Sequence, residues 1–448
     1  MGFTEILQAV VDFVWGLPLV IFIFTANIYL AWISRLSPLR SLIHALKLLR
    51  KKESPENDGQ IPHFKTFCNA IAATVGLGNI SGVAIAIAQG GPGVVLWMWV
   101  AAIFGMNTKF FECTAAMLFR GKDQFGHTQG GAMYAIERVM PKRWHLLAII
   151  FATCGMIGTL SMFQINQLST FLSTSYGVPV WVCGLTFALI THWVLRGGLQ
   201  RISAICALIV PVMSVIYICV CLKVLLKNIE HLPNIVLDIW VHAFTAKSAI
   251  YGTISYGVIQ VMVTGIKRAT FSNEAGLGTA PMAHANSSSK EPVAEGLVAM
   301  LGPFVDTIIV CTLTALVILV TFRVGGIPDV SGIELTTRAF AAQLGDWGKH
   351  FLGISILLFA YSTILGMANY NEKCWNYLFA GRAWLGRPTF QAWYGLSIFA
   401  GSLLAATNVV NIIDIAYALM TIPNIIVTVV VAPIVVHELI SYKRRTNS

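Results

Sequence analysis

Apolar segments long enough to cross a bilayer recur along this chain, at about residues 10–33, 66–90, 93–119, 144–175, 179–196, 202–226, 249–285, 294–322, 349–378, 390–408 and 411–437. A run of about 20 apolar residues spans the hydrocarbon core as a helix. Lipid offers no hydrogen-bond partners, so only helices and closed barrels can cross it. The expected fold is therefore an all-α membrane protein with eleven transmembrane helices. Charged residues make up 11% of the sequence, against about 25% in soluble domains. The formal net charge of +10 does not point to nucleic acid, because the basic residues fall between apolar segments and form no single stripe. The bilayer is the expected partner.

Those basic residues instead orient the chain. Eleven spans place the termini on opposite sides, and Arg120, Lys122, Arg138, Lys142, Arg143, Arg387 and the tail Lys443-Arg444-Arg445 fall on one side. The opposite loops hold fewer, among them Lys223, Lys227, Lys247, Arg323 and Lys349. The positive-inside rule then puts the N-terminus outside and the C-terminus in the cytoplasm of a cell-membrane protein. The first segment has Glu5 and Asp12 ahead of or within it in place of a basic region, and no small-residue cleavage site, so it is expected to be a retained helix. Residues 1–65 comprise that helix and a basic amphipathic stretch with Arg35, Arg40, Lys47, Arg50, Lys51, Lys52 and Lys65. The nine cysteines contain no CxxC pair and read as small core residues.

Two of the segments are interrupted. Thr74-Val75-Gly76-Leu77-Gly78-Asn79-Ile80-Ser81-Gly82 places three glycines, an asparagine, a serine and a threonine at membrane depth. Each Gly weakens a helix by about 1 kcal/mol relative to Ala, and Asn and Ser offer competing local hydrogen bonds. Phe271-Ser272-Asn273-Glu274-Ala275-Gly276-Leu277-Gly278-Thr279-Ala280-Pro281 repeats the pattern about two hundred residues later. With the first helix set aside, each break lies in the first of five spans, in units 66–227 and 249–437, followed by a basic tail over 438–448. Five is odd, so the second unit starts on the other side of the membrane and the repeats are inverted. Glycine-broken spans at matching places in two halves are the signature of an inverted-repeat transporter with its site where the breaks meet.

The chemistry of such a site follows from its backbone. Half-helix N-termini supply N–H groups that suit a carboxylate, and C-terminal carbonyls suit an ammonium or a sodium ion. A zwitterionic amino acid fits both. Neutral backbone and hydroxyl oxygens favour a monovalent ion over a divalent one, and Thr74, Ser81, Ser362 and Thr363 supply hydroxyls.

The runs TVGLGNISGVAIAIAQGGPG, IKRATFSNEAGLGTAPMAHA and FAYSTILGMANYNEKC resemble the signature segments of the alanine or glycine:cation symporters, also called sodium:alanine symporters, from about Phe64 to the C-terminus. The resemblance implies the leucine-transporter fold, a five-plus-five inverted repeat with one additional N-terminal helix, and sodium- or proton-coupled uptake of a small neutral amino acid. It implies that amides around Leu77, Gly78 and Asn79 receive the substrate carboxylate and that Gln164, beside Phe163, contacts the substrate. Ser272, Asn273 and Gly276 would complete the pocket near the amino group, with Thr74, Thr363 and Met367 also lining it. Sodium would be held by carbonyls near Ala72 and Val75 and by the hydroxyls of Ser362 and Thr363.

Three departures from the family pattern stand out. Met367 stands where the family commonly has Trp, one turn beyond Thr363 on the same face, which leaves a roomier or more adaptable pocket. Leu77 replaces a threonine, and Leu160-Ser161 replaces Gly-Asn. A larger neutral amino acid, such as glutamine or serine, then joins alanine and glycine as a possible substrate.

Intramembrane charges are functional candidates by default. Glu274 is expected to brace the second break, with Lys267 or Arg268 able to pair with it. Asp306 and Asp414 are expected to brace neighbouring helices or to carry protons. Lys109 and Glu112 have the i,i+3 spacing of a local ion pair. The segment Gly126 to Arg138, with His127, reads as an interfacial helix, and Trp97 and Trp99 as interface anchors. Neither HExxH, GxSxG nor a Walker sequence occurs, so the chain reads as a transporter and not an enzyme. An amino-acid-gated channel or sensor is the alternative class.

Overall fold

A computed structural model describes residues 2–50, 62–122, 126, 128–245, 254–323, 326–380 and 382–446. Lys51, Lys52, His127 and Lys247 lie outside them. Among the described residues seven helices are long and apolar enough to cross a membrane: Phe3–Ser34, Val94–Leu118, Lys142–Tyr176, Gly198–Lys227, Pro292–Thr321, Asp346–Leu378 and Ala406–Thr446. An eighth span is the pair Phe64–Thr74 and Gly78–Gly90, bent by 45°. The other three expected spans are helical over Val180–Leu195, Ile254–Asn273 and Arg387–Leu403, shorter or more polar than the rest.

Both interruptions are present as breaks. The first helix ends at Thr74, Val75 turns extended (φ −77°, ψ 91°), and the chain resumes as a π-helical turn over Gly78–Gly82 before Val83–Gly90. Asn79 stabilises the bend from both sides. Its Oδ1 accepts the Gly76 N–H at 2.8 Å and its own N–H donates to the Gly76 carbonyl at 3.2 Å. The second helix, Ile254–Asn273, ends where Glu274 (φ 57°), Gly276 (φ 87°) and Gly278 (φ 78°) all adopt left-handed backbone. Glycine adopts it freely; Glu274 does so at a cost of about 1–2 kcal/mol. Its carboxylate accepts the Thr279 hydroxyl at 2.6 Å across the turn, and Asn273 Oδ1 accepts the Ala275 N–H at 2.9 Å. Ala280–His284 then restarts the helix with Pro281 in its first turn.

Small residues let the backbones close on the breaks. Gly366 of Asp346–Leu378 lies so near the first broken helix that a Cβ there would stand 2.7 Å from Ala73 N. A third irregularity, absent from the sequence-based expectation, is the π-helical run Phe304–Cys311 within Pro292–Thr321. The helix Gly332–Leu344 packs on the π turn of the first break, with Thr336 Oγ1 donating to the Ile80 carbonyl at 3.0 Å.

Several expected pairings are replaced. Lys109 forms no ion pair with Glu112; its Nζ reaches the Asn273 carbonyl at 2.5 Å, and Glu112 instead accepts from Asn424 Nδ2. Lys267 and Arg268 pair with Asp414 of Ala406–Thr446 and not with Glu274. Residues Gly126 to Arg138 do not form one helix: Gly121–Lys122 pairs antiparallel with Thr128–Gln129, and only Ala132–Val139 is helical. Trp97 and Trp99 bond protein, through Ala243 O at 3.3 Å and Thr312 Oγ1 at 2.7 Å.

Candidate functional site

The two breaks touch at glycines. A Cβ on Gly78 would lie 3.3 Å from Ser272 Cα, so the first π turn rests directly on the end of the second half-helix. A Cβ on Gly76 would lie 2.1 Å from Thr363 Oγ1, so the unwound segment also rests on Asp346–Leu378. Only the missing side chains permit these approaches.

Asp306 joins the two breaks. From the π-helical run, its Oδ1 accepts Asn79 Nδ2 at 2.6 Å and its main-chain carbonyl accepts the same group at 3.1 Å. Its Oδ2 accepts the Thr307 hydroxyl at 2.7 Å, and that oxygen in turn accepts Asn273 Nδ2 at 3.0 Å. Cys311 Sγ stands 3.2 Å from Asn79 Nδ2 and 3.3 Å from Ser272 Oγ. Asp306 and Thr307 are fully buried, where a carboxylate survives only if its lone pairs are taken up by donors. The sequence marked Asp306 solely as a charge in an apolar helix, and nothing in the spacing tied Thr307 or Cys311 to the breaks.

The remaining residues fall into two groups. Ala72, Val75, Leu77, Asn79, Ser272, Asn273, Thr363 and Met367 are all buried. Thr363 Oγ1 is buried, has no hydrogen-bond partner among the described residues and faces Gly76. Phe163, on Met162–Tyr176, meets Phe271 edge-on with ring centroids 5.0 Å apart, and Gln164 follows it, nearly buried. Other polar groups point elsewhere. Thr74 Oγ1 donates to the Ala70 carbonyl at 3.2 Å, and Ser362 Oγ to the Phe359 carbonyl at 3.1 Å, each within its own helix. The Gly276 carbonyl accepts Asn424 Nδ2 at 2.9 Å, on the side of Ala406–Thr446. Ser161 bonds the Tyr394 hydroxyl, which donates to the Ile364 carbonyl at 2.8 Å, next to Thr363.

Above the breaks, Arg268 bonds Asp414, and its guanidinium lies 5.0 Å from the centroid of the Phe271 ring. Phe271 also meets Tyr417, at 5.6 Å. Phe271 thus links the end of the second half-helix to an ion pair and to an aromatic ring of Ala406–Thr446. The arrangement offers unwound backbone, the unpaired Thr363 hydroxyl and the buried carboxylates of Asp306 and Glu274, the kind of donor set that can hold a small zwitterion and a hard cation.

Known proteins are similar to this chain in sequence and in fold. The sodium/alanine symporter AgcS of Methanococcus maripaludis is 36% identical over 446 residues, covering 98% of this chain and 97% of that protein. The Bacillus subtilis protein named "Probable sodium/glutamine symporter GlnT" is 32% identical over 438 residues, covering 98% and 90%. Among solved structures, MhsT in complex with L-phenylalanine matches with a TM-score of 0.59 at 15% identity, covering 84% of this chain and 89% of MhsT. A Na+-coupled sialic acid symporter matches with a TM-score of 0.53 at 11% identity, covering 94% and 98%. These two likenesses establish the leucine-transporter fold. The model of the sodium:alanine symporter family matches residues 1–448, so this multi-pass membrane protein belongs to the sodium:alanine symporter family, a family of transporters and not of enzymes.

Proposed function

We propose that the chain is a sodium-coupled symporter that imports a small neutral amino acid by alternating access, with its N-terminus outside the cell and its C-terminus in the cytoplasm. The observation that carries this reading is the meeting of two unwound segments at Gly78 and Ser272 beside an unpaired, buried Thr363 hydroxyl. The substrate carboxylate is received by the amides around Leu77 and Gly78, its amino group by carbonyls near Ser272, and its side chain by Phe163, Gln164 and Met367. Sodium lies between the carbonyls of Ala72 and Val75 and the hydroxyls of Thr363 and Ser362. Ser362 keeps lone pairs for this role while donating to Phe359.

Sodium draws Gly76 and Thr363 together, and the substrate then bridges the two breaks. Asp306 bonds one break directly and the other through Thr307, so closure on one side is felt by the other. AgcS is named for alanine and GlnT for glutamine; Met367, more pliable than the family's Trp, suits a pocket that takes either. Uptake of labelled alanine and glutamine into proteoliposomes tests the reading. An inward sodium gradient should drive uphill accumulation, and replacing sodium by choline at a fixed pH gradient should abolish it. Uptake that survives choline would assign coupling to protons, and absence of uphill accumulation would make the chain a channel or sensor.

A further inference from the structure

Lys109 is a buried basic side chain bonded to the end of the second half-helix, and the sodium-coupled cycle gives it no task. It projects from Val94–Leu118, is 1% exposed, and donates from Nζ to the Asn273 carbonyl at 2.5 Å. Asn273 is the last residue of its half-helix. The final carbonyls of a helix lack partners within it and carry its negative pole, so an end buried in a membrane protein must be met by a donor or a cation. Here the donor is itself a cation. The side chain lies along Gly302, where a Cβ would stand 3.8 Å from Nζ and 3.9 Å from Cδ and Cε. Those are ordinary van der Waals distances, so the lysine stem runs alongside Gly302. Two buried carboxylates flank the contact: Glu274 is the next residue, and Asp306 reaches Asn273 through Thr307.

The first break is furnished differently. Its polar contacts include the Asn79 carboxamide, the Asp306 carboxylate and the Thr363 hydroxyl, and among the described residues no lysine or arginine donates to it.

We propose that Lys109 is a tethered cation that permanently satisfies the carbonyl end of the second break, so that the chain takes up a single dissociable cation, at the first break. Lys109 is then a positioning residue for transport: it fixes how many ions accompany each amino acid, and it touches neither. The inference rests on the sodium-coupled reading above. An ammonium and a sodium ion answer the same carbonyls, but the ammonium is tethered to the chain and is not exchanged with the bulk.

The test is the ion-to-substrate coupling ratio of the wild-type protein in proteoliposomes, from reversal potentials with alanine as the probe, together with the sodium activation curve. One sodium per alanine and a hyperbolic curve are expected. Lys109→Met should open the carbonyl end to a second sodium. Its activation curve should turn sigmoidal and its midpoint rise by about tenfold, the loss expected for one charged hydrogen bond. Lys109→Arg should keep the hyperbolic curve. A wild-type ratio of two, or a Lys109→Met protein with the wild-type midpoint and shape, would overturn the proposal while leaving sodium coupling intact. Wild-type uptake indifferent to sodium would remove the coupling reading itself. The wild-type ratio decides the matter even where Lys109→Met fails to fold.

Discussion

The two breaks look alike as sequence and are built on different physics. In the first, closeness is made by missing atoms: Gly76 sits on Thr363, Gly78 on Ser272, and the bend is closed by the neutral carboxamide of Asn79. In the second, the geometry is made by left-handed backbone and fixed charge: Glu274, Gly276 and Gly278 turn the chain, while Lys109 and Glu274 supply the polar partners. A sterically tight break that no lysine or arginine reaches can respond to a cation that comes and goes. A break already holding its own ammonium is a scaffold against which the other works.

The largest effect that would sharpen this contrast is expected from Gly76→Ala. A methyl placed 2.1 Å from Thr363 Oγ1 must displace one of the two segments, at an overpacking cost of about 1–3 kcal/mol. Sodium-driven uptake should fall by up to a hundredfold, with partial recovery in the Gly76→Ala/Thr363→Ala double variant. Uptake equal to wild type in the single variant would show that the first break is not sterically tight.

Asp306→Asn should come next. It keeps the shape but weakens the acceptor that serves both breaks, and hydrogen bonds to charged groups are worth about 1.5–3 kcal/mol. Calorimetric titration with alanine should show affinity lowered by about tenfold. Affinity unchanged by this substitution would mean that the two breaks are not coupled through Asp306.

Gly276→Ala breaks the comparison from the other side. Space is available there, since a Cβ would meet only Ile425 Cδ1 at 3.8 Å, but φ is 87°. The cost is conformational, about 1–2 kcal/mol. It should appear as a lower melting temperature in detergent with sodium dependence unaltered; a shifted sodium midpoint would place the ion at the second break.

Met367→Trp is expected to act least. Rejecting an extra methylene in an apolar pocket is worth about 1 kcal/mol at the low end, so glutamine uptake should drop a few-fold relative to alanine. A substrate profile identical to wild type would remove Met367 from the pocket wall.

Much of this molecule was legible before folding. The apolar segments, both interruptions and their matching positions are local properties: lipid demands internally satisfied backbone, and glycine, asparagine and proline refuse to extend a helix wherever they fall. Thr363 stood out because its motif did, and it lies against the first break as a buried, unpaired hydroxyl.

Partner choice was another matter. Lys109 and Glu112 are three residues apart on one helix and read as a pair, yet the lysine bonds a carbonyl 164 positions away and the glutamate an amide 312 positions away. Arg268 lies near Glu274 in the chain and bonds Asp414. Asn79 turns to Asp306, which no motif linked to it. Sequence spacing sets which charges can meet along one helix, whereas a buried charge settles on whichever donors the packed neighbours bring within reach. The amino-acid sequence thus determined where the helices cross and where they break, because those outcomes depend on each residue's own backbone preference and affinity for lipid. Tertiary structure alone decided which break holds a resident ammonium and which is left with a free hydroxyl, because that depends on surfaces from distant segments closing around groups that water can no longer serve.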